Sequence, residues 1–574
     1  MTETPKLLTR LTSTQRRIFP SGLPTEEFRT VSALRNEPVS FCLAYRADHR
    51  VVGDGKIPDL PISVSAVCEE KPLPLSAYRV GYVPYGTAPC EDAETADGSC
   101  PDPLYRRSPD PVIVRGDEHL PYYEQGERNL LNVSCVSNGC VLFTVNEAGE
   151  PLDAGDYELR VRVRSLSTGE ELASHTLTLH IVNALLPEND LIYTNWFHYD
   201  CFADLYGLAL YSNEYFSMLE DYLRNATLHG MTALLIPAFT PALDTPVGGE
   251  RTNVQLIRVI EQNGDYSFDF SLLRSFLELA QRCGIRYFEH CPLFSQWGAK
   301  SAINVYGERD GSRVRLFGWE DAADSPAYTR FLRRYLTEFL TLAKELGISE
   351  RLLFHISDEP CETHEETYRR ALAVVSDLLE GYTRGDALSD FRYYQNGLVS
   401  FPIVSTKFAD DFDGRCDALM LYYTGGPTEQ LSNRLLSNAP WRTRILGLHL
   451  YRYRAKGFLH WGYNYYYGRM SHGLFDPTSN PCGYRNLPGA SYLVYPGPDR
   501  KPLPSLREKL MMDALSDCRA LRLLETLIGR EATLALCAEV LGEAITIRTL
   551  PTSAEQMLAL RERINQAIEQ AVSS

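Results

Sequence analysis

The chain has 574 residues, 44% of them hydrophobic and 11% aromatic, which is too long for one hydrophobic core and points to two or three globular domains. Its 57 Lys and Arg against 74 Asp and Glu leave a formal charge of -17, which excludes a nucleic-acid groove as the main working surface. The 34 Tyr, 23 Phe and 5 Trp suit sugar binding instead, because flat rings stack on the apolar faces of pyranoses, although most of these rings are needed for the core.

The first 18 residues are polar and carry no apolar segment, and no run of roughly 18 apolar residues follows anywhere. The expectation is a protein with neither signal peptide nor membrane span, located in the cytoplasm. The cysteines agree. None of the 14 falls in a CxxC pair, and Cys135 and Cys140 come closest, so they read as thiols of a reducing compartment.

From about residue 28 to 185 the pattern is all-β. Residues 40–46 form a short strand-like run, Tyr157, Leu159, Val161 and Val163 alternate with charged side chains, and 177–182 offers another strand. The stretch 69–124, rich in Pro, Gly and Asp, reads as a long surface excursion from a β-sandwich. A break at Leu186-Pro187-Glu188-Asn189-Asp190 closes an N-terminal β-sandwich domain over residues 1–187.

Beyond the break, strands and helices alternate. Strands are predicted at 191–198, 232–237, 285–291, 352–356, 391–396, 417–423, 442–448 and 457–463. Helices are predicted at 212–229, from Asp269 to Gly284, at 326–346 and at 505–528. The helix over 326–346 has the fullest signal: Ser325 as N-cap, Pro326 at the first position, a stripe from Tyr328 to Leu346 and Gly347 as the stop. Eight strands predict an α/β fold, a (β/α)8 TIM-like barrel over 188–528, with a short helical extension over 529–574. A doubly wound sheet is the alternative, but no Gly-rich phosphate loop follows the first strand.

The chemistry concentrates at Phe354-His355-Ile356-Ser357-Asp358-Glu359-Pro360, where an apolar strand stops at two adjacent carboxylates and a proline. By spacing alone these acids equally suit the N-terminus of the next helix. Asn195, Trp196 and His198 end the first strand, and Glu289 and His290 the third. Trp297 lies in a connection, 292–324, too long for a plain βα loop, which suggests a lid or subsite wall. Asn396, Tyr422, Tyr423, Trp461 and Asn464 fall at later strand ends. Trp461 is the candidate ring beneath a sugar and Tyr423 a candidate donor to an acetamido carbonyl. His355 suits either a carboxylate or sugar partner, or a satisfied place in the core. No metal-ligand motif and no cofactor loop is present, so the expected chemistry is acid/base work by side chains, without metal or cofactor.

Gln296-Trp297-Gly298-Ala299-Lys300, Leu316-Phe317-Gly318-Trp319, His355 to Pro360, His460-Trp461-Gly462-Tyr463-Asn464 and Tyr495-Pro496-Gly497-Pro498 occur in an order that resembles the bacterial glycoside hydrolases of family 123. The resemblance spans roughly residues 190–528. It implies exo-acting, retaining hydrolysis of a terminal β-linked 2-acetamido sugar, N-acetylgalactosamine-like, from an oligosaccharide or glycoconjugate. In that family the substrate's own acetamido oxygen is the nucleophile. Carried over, Glu359 is the general acid/base and Asp358 orients and charge-stabilises the acetamido group. Two alternatives remain: a retaining glycosidase for a sugar without the acetamido group, with Glu289 or Asp200 as the second carboxylate, and a non-catalytic carbohydrate-binding protein.

Overall fold

The structure, a computed structural model, describes residues 6–48, 62–85, 91, 98–107, 112–114, 138–165, 168–425 and 431–573. Two five-stranded sheets make up the N-terminal part. The first runs in spatial order Lys6–Ser13, Val39–Asp48, Gly139–Val145, Leu75–Pro84 and Ser99–Arg107. The second runs Thr30–Leu34, Glu171–Val182, Gly155–Ser165, Ile62–Cys68 and Val112–Val114. Strand alternation decides what each face meets. Phe41, Leu43 and Tyr45 pack between the sheets with Leu159, Val161 and Leu179. Their neighbours Cys42 and Ala44 face the other way, joining Tyr78, Val80 and Leu104 against Leu506.

The first sheet is therefore covered on both faces, and the expected surface excursion over 69–124 is corrected. That stretch supplies two of the sheet's strands, and its Pro and Gly residues punctuate them rather than mark a loop. Its residues 86–90, 92–97, 108–111 and 115–124 lie outside the described residues, as does Cys135.

Beyond residue 186 the chain builds a curled parallel sheet of nine strands. They are β1 (Ile192–Asn195), β2 (Ala233–Ile236), β3 (Tyr287–His290), β4 (Leu352–Phe354), β5 (Thr383–Arg384), β6 (Ala387–Leu388), β7 (Ile403–Ser405), β8 (Met420–Tyr422) and β9 (Gly457–His460). Their spatial order is β5-β4-β3-β2-β1-β9-β8-β7-β6. The two edge strands are thus consecutive in the chain, separated only by Gly385 and Asp386. Gly385 N donates to Phe354 O at 3.0 Å on one side, and Ile403 N to Asp386 O at 3.1 Å on the other. A Cβ at Gly385 would lie 2.8 Å from Phe401 O, so the tight passage needs glycine.

Helices α1 (Asn213–Leu228), α2 (Ser271–Arg282) and α3 (Pro326–Glu345) pack outside this sheet as their apolar stripes require. In α3, Ser325 accepts from Tyr328 N, and Tyr328, Phe331, Leu332, Tyr335, Leu336 and Phe339 are all buried. Two expected strands are helical instead. Residues 391–396 contain the helix Arg392–Gln395, and 442–448 fall in Pro440–Arg444 and Leu446–Arg452. In the second case Leu446, Leu448, Leu450 and Tyr451 are all buried, so the short apolar stretch Ile445-Leu446-Gly447-Leu448 belongs to a helix enclosed on every side.

Helix α4 (Leu506–Ile528) ties the parts together, and every residue from Leu506 to Cys518 is buried. Arg507 Nε donates to Asp102 at 2.9 Å and Lys509 pairs with Glu147, the first acid on a strand of the first N-terminal sheet and the second in the turn that follows another. Ser505 caps the helix, accepting from Glu508 N at 3.0 Å while its hydroxyl donates to Leu493 O at 2.6 Å. Ser505→Ala is expected to cost about 1–2 kcal/mol, at the upper end for a cap because both bonds are buried. A lower thermal midpoint reads this; an unchanged midpoint would show that other groups take over both bonds. Two further helices, Arg530–Leu541 and Ala554–Ser573, follow α4. Among the described residues no helix is long and apolar enough to cross a membrane.

Candidate active site

Strand β4 ends at Phe354, and the chain continues inward through His355, Ile356 and Ser357, all buried, to half-buried Asp358 and exposed Glu359. This turn is held from several sides. Ile356 N and Ser357 N donate to the two carboxylate oxygens of Asp386, each at 3.1 Å. Ser357 Oγ donates to Ser295 O at 2.8 Å. Trp297 N donates to Asp358 O at 2.9 Å. Glu359 has a φ of 42°, in the left-handed region that a side chain other than glycine's disfavours by ~1–3 kcal/mol. Such backbone persists only where the surroundings over-determine it, and here they do.

The two carboxyls meet different surroundings. Burial, then the neighbouring charges of Glu359 and Asp386, push Asp358 well above the usual carboxylate range, with His355 partly opposing them. Glu359 Oε1 accepts a hydrogen bond from Tyr422 OH at 2.8 Å. On its outer side a cleft of ≈ 640 Å³ opens, lined by Glu359, Cys361, Glu362, Asp390, Phe391, Arg392, Phe408 and Arg415.

Beneath the turn lies a buried ionic chain. His355 Nε2 donates to Glu289 Oε2 at 2.9 Å, and its Nδ1 faces Asp386 Oδ1 at 3.4 Å. Burial alone lowers the imidazole's proton affinity, but its bonds to Asp386 and Glu289 more than offset this and raise its pKa to about 9. At neutral pH His355 is therefore an imidazolium, hydrogen-bonded to Glu289 and ion-paired with Asp386. Glu289 Oε2 also accepts from Trp196 Nε1 at 3.0 Å.

The expected site residues divide into two groups. Trp196 and Tyr422 lie inside the curl of the sheet, in one cluster with Leu353 and Leu459 and with half-buried Trp461 at its edge. Trp297 adjoins Asp358 through its backbone, and His355 supports the pair from below. These five, with Asp358 and Glu359, are brought together. In the rim, Trp461 also contacts the rings of Tyr465 and Tyr484, with centroids 5.2 and 5.0 Å away.

The other five are placed elsewhere or already occupied. His198 Nε2 donates to Trp461 O at 2.8 Å, and its Nδ1 accepts from Arg251 at 3.1 Å. Burial and then the Arg251 charge hold it neutral. Asn464 uses both amide atoms on the backbone of His198, accepting from N at 2.9 Å and donating to O at 3.0 Å. His290 points away from the interior, donating from Nδ1 to Cys291 O at 2.6 Å and accepting from Tyr335 OH at 2.7 Å. Burial lowers its pKa to about 4. Tyr423 also faces outward, its hydroxyl 3.7 Å from Met511 Sδ on α4, so it is not a donor to a sugar inside the sheet. Asn396 is exposed and donates to Glu365 Oε1 at 3.0 Å, as its helical segment carries it off the rim.

Two acids, Asp386 and Asp244, escape sequence reasoning. Asp386 lies between two strands too short to show a period. Asp244, in the segment after β2, accepts from Tyr465 OH at 2.8 Å and Met470 N at 2.9 Å, tying that segment to the one after β9. Asp200, weighed above as a second carboxylate, is held by Arg251 through two 2.7 Å bonds. The 292–324 connection is no open loop. It contains the hairpin of Val305–Arg309 and Ser312–Phe317, within a four-stranded sheet.

Comparison with known proteins gives this geometry a family. No curated protein matches the chain. Among solved structures, a family 123 glycoside hydrolase from Clostridium perfringens, studied for glycolipid glycan hydrolysis, is similar with a TM-score of 0.71 and 11% identity, covering 99% of this chain and 98% of that chain. At that identity the likeness shows the fold. A family 39 glycoside hydrolase from Bacteroides cellulosilyticus WH2 has a TM-score of 0.30 at 9% identity, over 79% of this chain and 80% of that one, too low to bear on the argument. The sequence model of the glycoside hydrolase 123 catalytic domain matches residues 196–524, from the end of β1 into α4. That match takes in the Asp358–Glu359 turn, Tyr422, Trp461 and more than half of the chain, which therefore belongs to glycoside hydrolase family 123.

Proposed function

We propose that the protein is an exo-acting glycosidase that removes a terminal β-linked 2-acetamido sugar, N-acetylgalactosamine-like, from an oligosaccharide or glycoconjugate, retaining configuration by substrate assistance. The observation that carries this reading is the state of the carboxylates around the Asp358–Glu359 turn. Asp200 is held by Arg251, Glu289 by Trp196 and His355, and Asp386 by the turn itself. Asp200 and Asp386 are committed to these bonds and cannot attack an anomeric carbon. Glu289 is bonded through Oε2 alone, which leaves its buried Oε1 as the one oxygen of the three that a two-carboxylate retaining site, with its nucleophile about 5–5.5 Å from its acid, could use in place of the substrate's acetamido oxygen.

In the proposed reaction the sugar lies inside the sheet on Trp461, with Trp196 and Tyr422 as walls. Its acetamido oxygen attacks C1 while Glu359 gives its proton to the departing glycosidic oxygen. The leaving group occupies the cleft beyond Glu359. Half-buried Asp358, on the inner side, accepts the acetamido N–H and balances the positive charge of the cyclic intermediate. Glu359 then takes a proton from water, which opens the ring at C1.

The fold reading goes with this. Joined through Gly385 and Asp386, β5 and β6 act as one strand, and the sheet closes as a (β/α)8 barrel over 188–528, between a β-sandwich domain (1–187) and a helical extension (529–574).

A panel of aryl β-glycosides with and without the 2-acetamido group tests the function. Turnover is expected only with the acetamido group. Equal turnover of plain glycosides overturns the mechanism, and no turnover of any overturns the activity. Trp461→Ala is expected to weaken substrate binding by about 1–3 kcal/mol, the typical loss for a stacked ring. A KM equal to the parent's would place the sugar's floor elsewhere.

A further inference from the structure

We propose that Asp386 is a positioning residue for the reaction: buried behind the turn, it fixes the backbone that carries Asp358 and Glu359 and so sets where both carboxyls point. The proposal rests on the acid/base reading of that pair.

The geometry shows why a carboxylate is needed. Pairing of β4 with β5 ends at Phe354 and Arg384, so the next backbone donors have no strand to bond. Ile356 N and Ser357 N are buried, and leaving such groups unpaired costs about 1–3 kcal/mol each. Asp386 sits in the two-residue break between β5 and β6 and accepts both, one on each oxygen, at 3.1 Å. Tyr368 OH, from the helix Glu365–Ala373, donates to the same carboxylate at 2.5 Å. The Asp386 carbonyl accepts from Ile403 N at 3.1 Å, anchoring the residue to β7 as well. One residue thus joins the turn to a helix through its side chain and to the neighbouring strand through its backbone. Asp386 is 0% exposed, so it acts on the reaction through the turn and not by touching substrate.

Its charge gives the role a readout that mere stability would not. The charged groups around Asp358 are Glu359, Asp386 and the His355 imidazolium. Around Asp386 stand His355, Asp358 and the Tyr368 hydroxyl, with Arg384 beyond Tyr368. Burial pushes Asp386 up, and its bonds to His355, Tyr368 and Ser357 pull it back. While ionised, Asp386 makes Asp358 hold its proton more tightly, so the acid limb of the rate profile depends on that charge.

Asp386→Asn keeps the size but removes the charge and one acceptor. The expected result is a fall in kcat of about 10-fold or more with KM within about twofold. The acid limb of kcat/KM should also move to lower pH, because Asp358 then ionises more readily. Should this variant not fold, Tyr368→Phe leaves every contact at the turn in place. Without that donor Asp386 takes up a proton earlier on acidification and loosens the turn. The plateau should stay near the parent's while the acid limb moves to higher pH. An acid limb unmoved in the folded variants overturns the proposal and leaves Asp386 a purely structural group. Failure of the acetamido reading shows separately, as turnover of plain glycosides by the parent enzyme.

Discussion

Glu359→Gln is expected to slow hydrolysis of β-glycosides with poor leaving groups by about 10²–10⁴-fold, the usual cost of losing a general acid. The substitution keeps the Tyr422 contact, since an amide oxygen accepts as well as a carboxylate at that site. What it removes is the proton for the glycosidic oxygen, which an alkoxide leaving group needs and an activated phenolate does not. Aryl glycosides with acidic phenols should therefore form the cyclic intermediate at nearly the parent rate and stall at its hydrolysis, where a base is required. Steady-state rates across a series of phenols, with a pre-steady-state burst for the most acidic, check this. A uniform loss across the series would assign Glu359 a binding role.

Asp358→Asn is expected to fail differently, slowing every substrate by about 10²–10⁴-fold whatever the leaving group. Its task in the proposed reaction is to hold the acetamido group and balance the charge that develops on it, and that charge appears in every case. A thiazoline that mimics the cyclic intermediate should bind the parent tightly and this variant much less. Equal inhibition of the two would separate Asp358 from the acetamido group. The pH dependence has a definite sign. Asp358 acts as the anion, and burial with two neighbouring anions raises its pKa, so activity is lost as pH falls through that raised value, above the ordinary carboxylate range.

What was legible in the sequence follows from how local each signal is. The turn at Asp358 could be found because an apolar strand, two acids and a proline stand in one short run. Helix α3 could be found because its cap, its proline, its stripe and its stop agree. The strands β5, β6 and β7 could not, since segments of two or three residues carry no period. With them Asp386 stayed hidden, although it accepts the hydrogen bonds of two successive backbone amides of the turn. A second limit is phase. Glu289 and His290 are neighbours on β3, and Tyr423 directly follows Tyr422 at the end of β8, so that one residue of register decides which faces the sugar and which the helices. The structure turns Glu289 and Tyr422 inward, whereas the sequence reading kept both members of each pair, His290 as a substrate contact beside Glu289 as an alternative carboxylate, and both tyrosines. Asn464 and His198 show a third limit. They stand at the rim as expected, but their polar atoms already bond to each other's segment or to Arg251.

The central claim is that the nucleophile belongs to the substrate. The most direct measurement is kcat/KM for aryl β-glycosides whose 2-acetamido group carries none, one, two or three fluorines on its methyl. Fluorine withdraws electrons from the carbonyl oxygen without changing the leaving group or the sugar's fit appreciably. If that oxygen attacks C1, the rate falls steeply and regularly with each fluorine. A rate that stays flat across the series would contradict the account and return the search to a protein carboxylate, Glu289 first.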